Sequence, residues 1–461
     1  MNSTLIIPQN IFNEIQAVTQ LPVETAGVLL VSIVPTSNGD KKILARKIQW
    51  LPEDAYLKRT EDSLSIASDG YVPFLAEAEK IGATPIWLHT HPGINSIPKP
   101  SKYDKEVDRK ISDLFQLRSN SPYYGTLIFS PRENSVAFTG YIEEYNGPRS
   151  SIEKMFSIGD RFRLISAFDV PSSVIPPIFD RNVRALGGDV QRTLSNLKIA
   201  VVGCGGTGSA VTEQLARLGV RNFVLFDPDE ISESNLTRVY GSGVDDVGKF
   251  KCDVLASHLK RISPDIKCDL IRSMITERYI AEKLSECDVI FGCTDDNAGR
   301  LILSRLSTYF LIPVIDCGIL ITNDDKGYIT GINGRVTTLV PGQACLVCRG
   351  RIDLLRAGTE LLTPDERNRR EDEGYAPSLG RIEPAVVNFT TIVAASAVTE
   401  LIERLIGYGP HPPPSEVLLR CHDREISTNI CAPGKGHYCD PCSGKLGIGL
   451  TIPFLEQTWQ N

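Results

Sequence analysis

The period of the hydrophobic pattern changes along this chain, and the changes divide it. Up to about residue 145, short apolar runs at Ala26–Val34, Thr84–His89, Tyr124–Ser130 and Ser135–Ile142 read as strands. Between them, Asn10–Thr19 and Gly70–Lys80 repeat apolar residues at helical spacing. The pattern predicts a small α/β sheet domain over residues 1–145. From 146 to 179 periodicity fades and Pro148, Pro171, Pro176 and Pro177 accumulate, which predicts a connector with one strand near Arg161–Ile165. From 180 to 461 apolar strands alternate with helical segments: Lys198–Val202, Asn222–Phe226, Val289–Gly292 and Ile312–Cys317, then a strand pair at Tyr328–Asn333 and Arg335–Val340. That alternation predicts a Rossmann-like, doubly wound sheet.

The second region is organised around Lys198-Ile-Ala-Val-Val-Gly-Cys-Gly-Gly-Thr-Gly208. Gly203, Gly205, Gly206 and Gly208 let backbone N–H groups approach phosphate oxygens at the positive end of the following helix. Alone, the loop is compatible with ATP, a dinucleotide or a structural role. The residues that follow favour a triphosphate. Asp227 ends the second strand, where ribose hydroxyls bind in either kind of site. Asn235, Arg238 and Lys251 add the donors and cations that a triphosphate under attack needs and a dinucleotide does not. Asp295, in Cys-Thr-Asp295-Asp-Asn, stands at the carboxyl end of a further strand, where a parallel sheet presents a magnesium ligand.

At these residues the chain resembles the ubiquitin-activating superfamily, the ThiF/MoeB-like adenylyltransferases. The glycine loop, Asp-x-Asp, Ser-Asn-Leu-x-Arg, Gly-x-x-Lys and Cys-Thr-Asp occur in that family's order. The resemblance assigns Asp227 to ribose, Asn235, Arg238 and Lys251 to the ATP phosphates, and Asp295 to Mg2+ and the reacting carboxylate. It matches Arg181-Asn-Val-Arg184 to the segment whose second arginine reaches the ATP site of the other subunit in a dimer, so Arg184 takes that role and a homodimer is expected.

In the first region His89-Thr-His91-Pro sets two imidazoles on one face of a strand, and Asp104 follows at a distance that allows a third ligand. Two histidines and one carboxylate leave zinc a fourth position for water, the layout of a hydrolytic site. Glu24 is the candidate base and Ser101 a candidate donor to the oxyanion. These positions resemble the JAMM (MPN/JAB) metalloisopeptidases, whose signature is Glu, His-x-His-Pro and Ser-x-x-Asp. The gap from His91 to Ser101 is longer here than in that signature.

Twelve cysteines, several as Cys-x-x-Cys, point to metal rather than disulfides in a cytoplasmic protein. Cys345, Cys348, Cys439 and Cys442 form two such pairs and predict a closed, structural zinc site; Cys421, His422, Cys431 and His437 are alternative ligands. A net charge of −7 and no clustered basic patch argue against nucleic-acid binding, and no apolar stretch is long enough for a membrane span. The segment before the long apolar helix, Glu373–Pro384, lacks the cysteine that thioester-forming relatives carry there. Ser378 lies near the place, and Cys317 at a strand end is the other candidate nucleophile.

Together the two resemblances imply a bifunctional enzyme. A JAMM peptidase would process, and an adenylyltransferase would activate, the C-terminal glycine of a ubiquitin-like protein in a bacterial-type conjugation pathway with a conjugating-enzyme-like acceptor. The alternative is activation of a sulfur-carrier protein for cofactor or cysteine biosynthesis. Implied cofactors are catalytic and structural Zn2+, ATP and Mg2+.

Overall fold

A computed structural model of the chain describes residues 2–93, 96–168, 175–372 and 385–449. The chain divides into two compact units, one within residues 1–173 together with 447–449, the other within residues 174–446.

The first unit contains β1 (Asn2–Pro8), α1 (Gln9–Thr19), β2 (Ala26–Pro35), β3 (Lys41–Trp50), β4 (Tyr56–Arg59), β5 (Leu64–Ile66), α2 (Val72–Ile81), β6 (Thr84–Thr90), α3 (Lys102–Ser119), β7 (Tyr123–Arg132), β8 (Ser135–Glu144), β9 (Arg149–Ile158) and β10 (Arg163–Ser166). Eight strands run in the order β1-β3-β2-β6-β7-β8-β9-β10, and β1 also pairs in parallel with β9, which closes the sheet into a barrel-like form. β4 and β5 make a separate hairpin. Part of the span read as a connector is sheet: β9 puts Ile152 and Met155 into the core on either side of an irregularity in its pairing with β1, and β10 adds the partly buried Ile165. Alternation also divides the core. Along β2, Ala26, Val28 and Leu30 face the cluster shared with α2 and α3, whereas Leu29 and Val31 face the one shared with α1. Helix α1 contributes Ile11, Phe12 and Ile15, each worth roughly 1.5–3 kcal/mol when buried.

The second unit contains α4 (Asp180–Leu186), α5 (Gly188–Asn196), β11 (Lys198–Val202), α6 (Gly206–Arg217), β12 (Asn222–Phe226), α7 (Lys251–Ile262), β13 (Lys267–Ile271), α8 (Arg278–Lys283), β14 (Val289–Gly292), α9 (Asn297–Tyr309), β15 (Val314–Asn323), β16 (Ile329–Leu339), α10 (Leu354–Glu360), α11 (Pro364–Asp372), α12 (Val387–Ile406), β17 (Glu416–Arg420) and β18 (Glu425–Asn429). The strand order is β13-β12-β11-β14-β15-β16-β17-β18, parallel from β13 through β15 and antiparallel beyond. The strand pair expected at 328–340 is one continuous strand, β16, pairing along its length with β15. From β11 the chain moves one way to β12 and β13, then returns to the other side as β14. Loops after β11 and β14 therefore diverge and leave a crevice at the carboxyl ends of the strands. Among the described residues no helix is long and apolar enough to cross a membrane.

Candidate functional sites

The crevice is lined by the glycine loop. Gly203 has φ +89°, and a Cβ on it would lie 2.6 Å from the Cys293 carbonyl; one on Gly208 would lie 1.8 Å from the Gly203 carbonyl. These two glycines hold the loop against the β14 loop and against itself. Gly205, the N-cap of α6, has no atom within 4 Å of its Cβ position, so the helix N-terminus opens onto free space there. Two substitutions should thus separate. Gly208→Ala should cost roughly 1–3 kcal/mol of stability through overpacking. Gly205→Ala should leave thermal unfolding unchanged and weaken ATP binding about tenfold or more, read by titration calorimetry.

Asp227 is buried and its carboxylate organises the loop: Oδ2 accepts from the Cys204 N–H at 2.6 Å and Oδ1 from the Asp229 N–H at 2.9 Å. Burial raises its pKa against the opposing field of Lys251. Lys251 Nζ lies 2.7 Å from Asp229 and 3.8 Å from Asp227. Asp229 is largely exposed, so that pair is worth under about 1 kcal/mol and a phosphate can displace it. The Arg238 stem lies 3.3 Å from the Cβ position of Gly206, and its Nη1 donates to the Ser234 carbonyl. Asn235 is buried, and its Oδ1 accepts from Ser232 N–H.

The structure distinguishes the adjacent aspartates at the end of β14. Asp296 caps α9, accepting from the Gly299 N–H and the Thr294 hydroxyl. Asp295 is exposed and makes no hydrogen bond or ion pair among the described residues, which suits a carboxylate offered to a magnesium ion. Glu360, which sequence reasoning missed, accepts from the Ala298 N–H at 2.8 Å beside it. Arg184 stands apart, exposed on α4 and paired with Asp180 at 3.0 Å. Ser378 lies outside the described residues. Cys317 is described: it is 3 % exposed, and the neighbouring Cys293 together with burial push its thiol pKa well up, neither of which favours a role as nucleophile.

In the first unit the predicted ligands converge. His89 and His91 face the same way from the end of β6 and Asp104 lies on the first turn of α3, with Nε2–Nε2 3.2 Å and Asp104 oxygens 3.3 and 3.5 Å from the two rings. Tetrahedral bonds of about 2.0 Å put nitrogens roughly 3.3 Å apart, so the donor set fits a zinc ion. Burial opposes ionisation of Asp104, yet the two imidazoles hold its carboxyl well below the usual range. Glu24 Oε1 is 3.8 Å from His91 Nε2, and burial raises its pKa. Ser101 caps α3, its Oγ accepting from the Asp104 N–H. All five residues line one cleft of ≈ 960 Å³. Asp108, one turn beyond Asp104 and missed in the sequence, lines it too and accepts from the hydroxyls of Tyr124 and Tyr141.

The cysteine site needs a correction. Cys345, Cys348 and Cys439 gather with His437, not with Cys442. His437 Nδ1 is 3.5, 3.4 and 3.3 Å from the three sulfurs, and Cys348 Sγ is 3.7 Å from Cys439 Sγ. Metal–sulfur bonds of about 2.3 Å in a tetrahedron give sulfur separations of roughly 3.8 Å, so the set fits zinc. Asp440 accepts from the Cys442 N–H at 3.0 Å in a short turn containing Pro441, and Cys442 is left exposed outside the group.

A model of the ThiF family matches residues 179–439, more than half of the chain. The chain belongs to the ThiF family. This ThiF-family chain is 28% identical over 163 residues to the SAMP-activating enzyme E1 of Haloferax volcanii, spanning 35% of its own length and 57% of that relative's. It is 27% identical to the molybdopterin-synthase adenylyltransferase of Escherichia coli, over 49% of this chain and 80% of that one. It is 26% identical to the sulfur carrier protein ThiS adenylyltransferase of the same species, over 46% and 74%.

Proposed function

We propose that the second unit adenylylates the C-terminal glycine of a small ubiquitin-like sulfur-carrier protein. The observation that carries this reading is the pairing, in one crevice, of an open helix N-terminus at Gly205 with an unpartnered Asp295 across the β11–β14 switch point. The carrier's carboxylate oxygen attacks the α-phosphorus of ATP; the new P–O bond forms as the bond to the departing pyrophosphate breaks. Arg238 and Lys251 offset phosphate charge, Lys251 exchanging Asp229 for a phosphate oxygen. A magnesium ion held by Asp295 would neutralise the leaving pyrophosphate. With Cys317 buried, the adenylate passes to an external sulfur donor rather than to a thioester on that residue. The test is ATP–pyrophosphate exchange by the full chain with a purified carrier ending in glycine. Exchange that is equally strong without any carrier, or absent with all carriers, would sink the proposal.

A second reading concerns the first unit, for which the His89–His91–Asp104 group with Glu24 alongside is the supporting observation. We infer a zinc hydrolase acting on peptide or isopeptide bonds, as in the metalloisopeptidases that the sequence resembles. A zinc ion there would supply an activated water. Glu24, its pKa raised by burial, takes and returns the proton. His89→Ala should lower zinc content and abolish cleavage of a carrier fusion extended beyond its terminal glycine, leaving pyrophosphate exchange at the wild-type rate. Cleavage unchanged in that variant would remove this reading.

A further inference from the structure

One carboxylate in the cleft of the first unit lies outside the metal group and has no cation of its own. Asp108 Oδ1 accepts from the Tyr124 hydroxyl at 3.0 Å and Oδ2 from the Tyr141 hydroxyl at 3.1 Å, and the residue makes no ion pair among the described residues. Arg149, whose field reaches it, is committed elsewhere: its guanidinium lies 3.7 Å from the centroid of the Tyr141 ring and bonds Glu143 at 2.8 and 3.1 Å. Burial pushes the Asp108 pKa up against the donation of the two hydroxyls. A half-buried carboxylate whose partners are neutral gains when a cation reaches it.

A helix and a strand carry the cleft away from the metal group in step. On α3, Asp108 follows Asp104 by one turn and Ile111 comes three residues later, so the three share a helix face. On β6, Trp87 precedes His89 by two residues and shares its side of the strand. The register sets the level of Asp108: Trp87 is opposite Thr126 on β7, and Thr126 is opposite Tyr141 on β8, whose hydroxyl bonds Asp108. One helical turn and two strand residues each advance roughly 6 Å. Leu64, Ile66, Tyr71, Trp87 and Ile111 line the same cleft with apolar and aromatic side chains. Its other charged residues outside the metal group, Glu61, Asp62 and Lys99, are exposed. The cleft therefore continues past the histidines as an apolar channel with one half-buried negative charge.

We propose that Asp108 selects substrates in which the residue after the scissile bond carries a cationic side chain, lysine or arginine. The proposal rests on the hydrolase reading and names a residue that its substrate must present. A terminal glycine before the cut offers no side chain, so the one that fills the channel belongs to the residue that follows. The methylene stem of lysine or arginine lies against apolar walls while its head meets the carboxylate. A neutral side chain of equal length leaves Asp108 without a counter-charge, which gives the discrimination.

The test uses the zinc-loaded full chain and two peptides, one containing Gly-Gly-Lys and the other Gly-Gly-Met at the same place. The lysine peptide should be cut after the second glycine with a kcat/KM about tenfold above that of the methionine peptide. Calorimetry on the Glu24→Gln chain, which leaves both peptides whole, should show a similar ratio of affinities. Asp108→Asn keeps an acceptor for one tyrosine and loses the charge; Ile111→Lys keeps Asp108 and sets an internal cation three residues away on the same helix face. Each change should bring both ratios to about one, with zinc content and the thermal midpoint reporting that the site and fold persist. A wild type that cuts and binds the two peptides alike overturns the proposal, as does an undiminished ratio in either folded variant. A loss of cleavage that is equal for both peptides leaves the ratio undiminished and counts the same way. If neither peptide is cut but the difference in binding is present and vanishes in both variants, the subsite stands and the hydrolase reading falls.

Discussion

Asp295→Ala should abolish carrier-dependent pyrophosphate exchange, by roughly 10²–10³-fold or more, with no measurable loss of stability. The first half follows from its position: it lies in the loop that follows β14, which packs on the glycine loop, and is the aspartate of that pair not engaged in capping. The second half follows from its isolation. An exposed carboxylate with no partner among the described residues contributes little to folding, so the change should stay within about 0.5 kcal/mol. Asp296→Ala is the informative companion. It removes the N-cap of α9, which should cost about 1 kcal/mol and lower the thermal midpoint, with a much smaller effect on turnover. If instead the Asp296 variant is the inactive one and Asp295→Ala exchanges normally, the capping residue is the one that meets the metal, and the two roles are reversed.

The two aspartates also show where the sequence stops being informative. Cys-Thr-Asp-Asp locates the end of a strand and an acidic site, but which carboxylate is free depends on the orientation of α9, and that is set by Thr294, Gly299 and Glu360 closing its first turn. The central sheet was legible because apolar runs and glycines act locally. The closure of the first sheet was not: β1 pairs with β9 across about 150 residues, and nothing in the alternation of either strand names the other. The His89, His91 and Asp104 group was readable because two ligands share a strand face, whereas Asp108 is placed only through tyrosines on β7 and β8. The cysteine motif misled by its symmetry. Two Cys-x-x-Cys pairs suggest four thiolates, yet the Asp440 turn withdraws one of them.

That difference gives the second large expected effect. Cys348→Ser and His437→Ala should each release about one zinc per chain and destabilise the second unit by more than about 4 kcal/mol, as expected where a metal tie is lost. Cys442→Ser should release none and change stability by less than about 0.5 kcal/mol, since its side chain is exposed and outside the group. The size of the first effect comes from chain connectivity: Cys345 and Cys348 follow β16, whereas His437 and Cys439 follow β18, so the ion would join segments about 90 residues apart. The readouts are elemental analysis and thermal unfolding with and without chelator. Chelator should lower the wild-type midpoint and that of Cys442→Ser alike, but leave the already destabilised Cys348→Ser protein where it is. Equal zinc loss in Cys442→Ser would restore the four-thiolate arrangement and refute the histidine. Unchanged zinc in both Cys348→Ser and His437→Ala would mean that the four side chains hold no ion, and that their convergence needs another explanation.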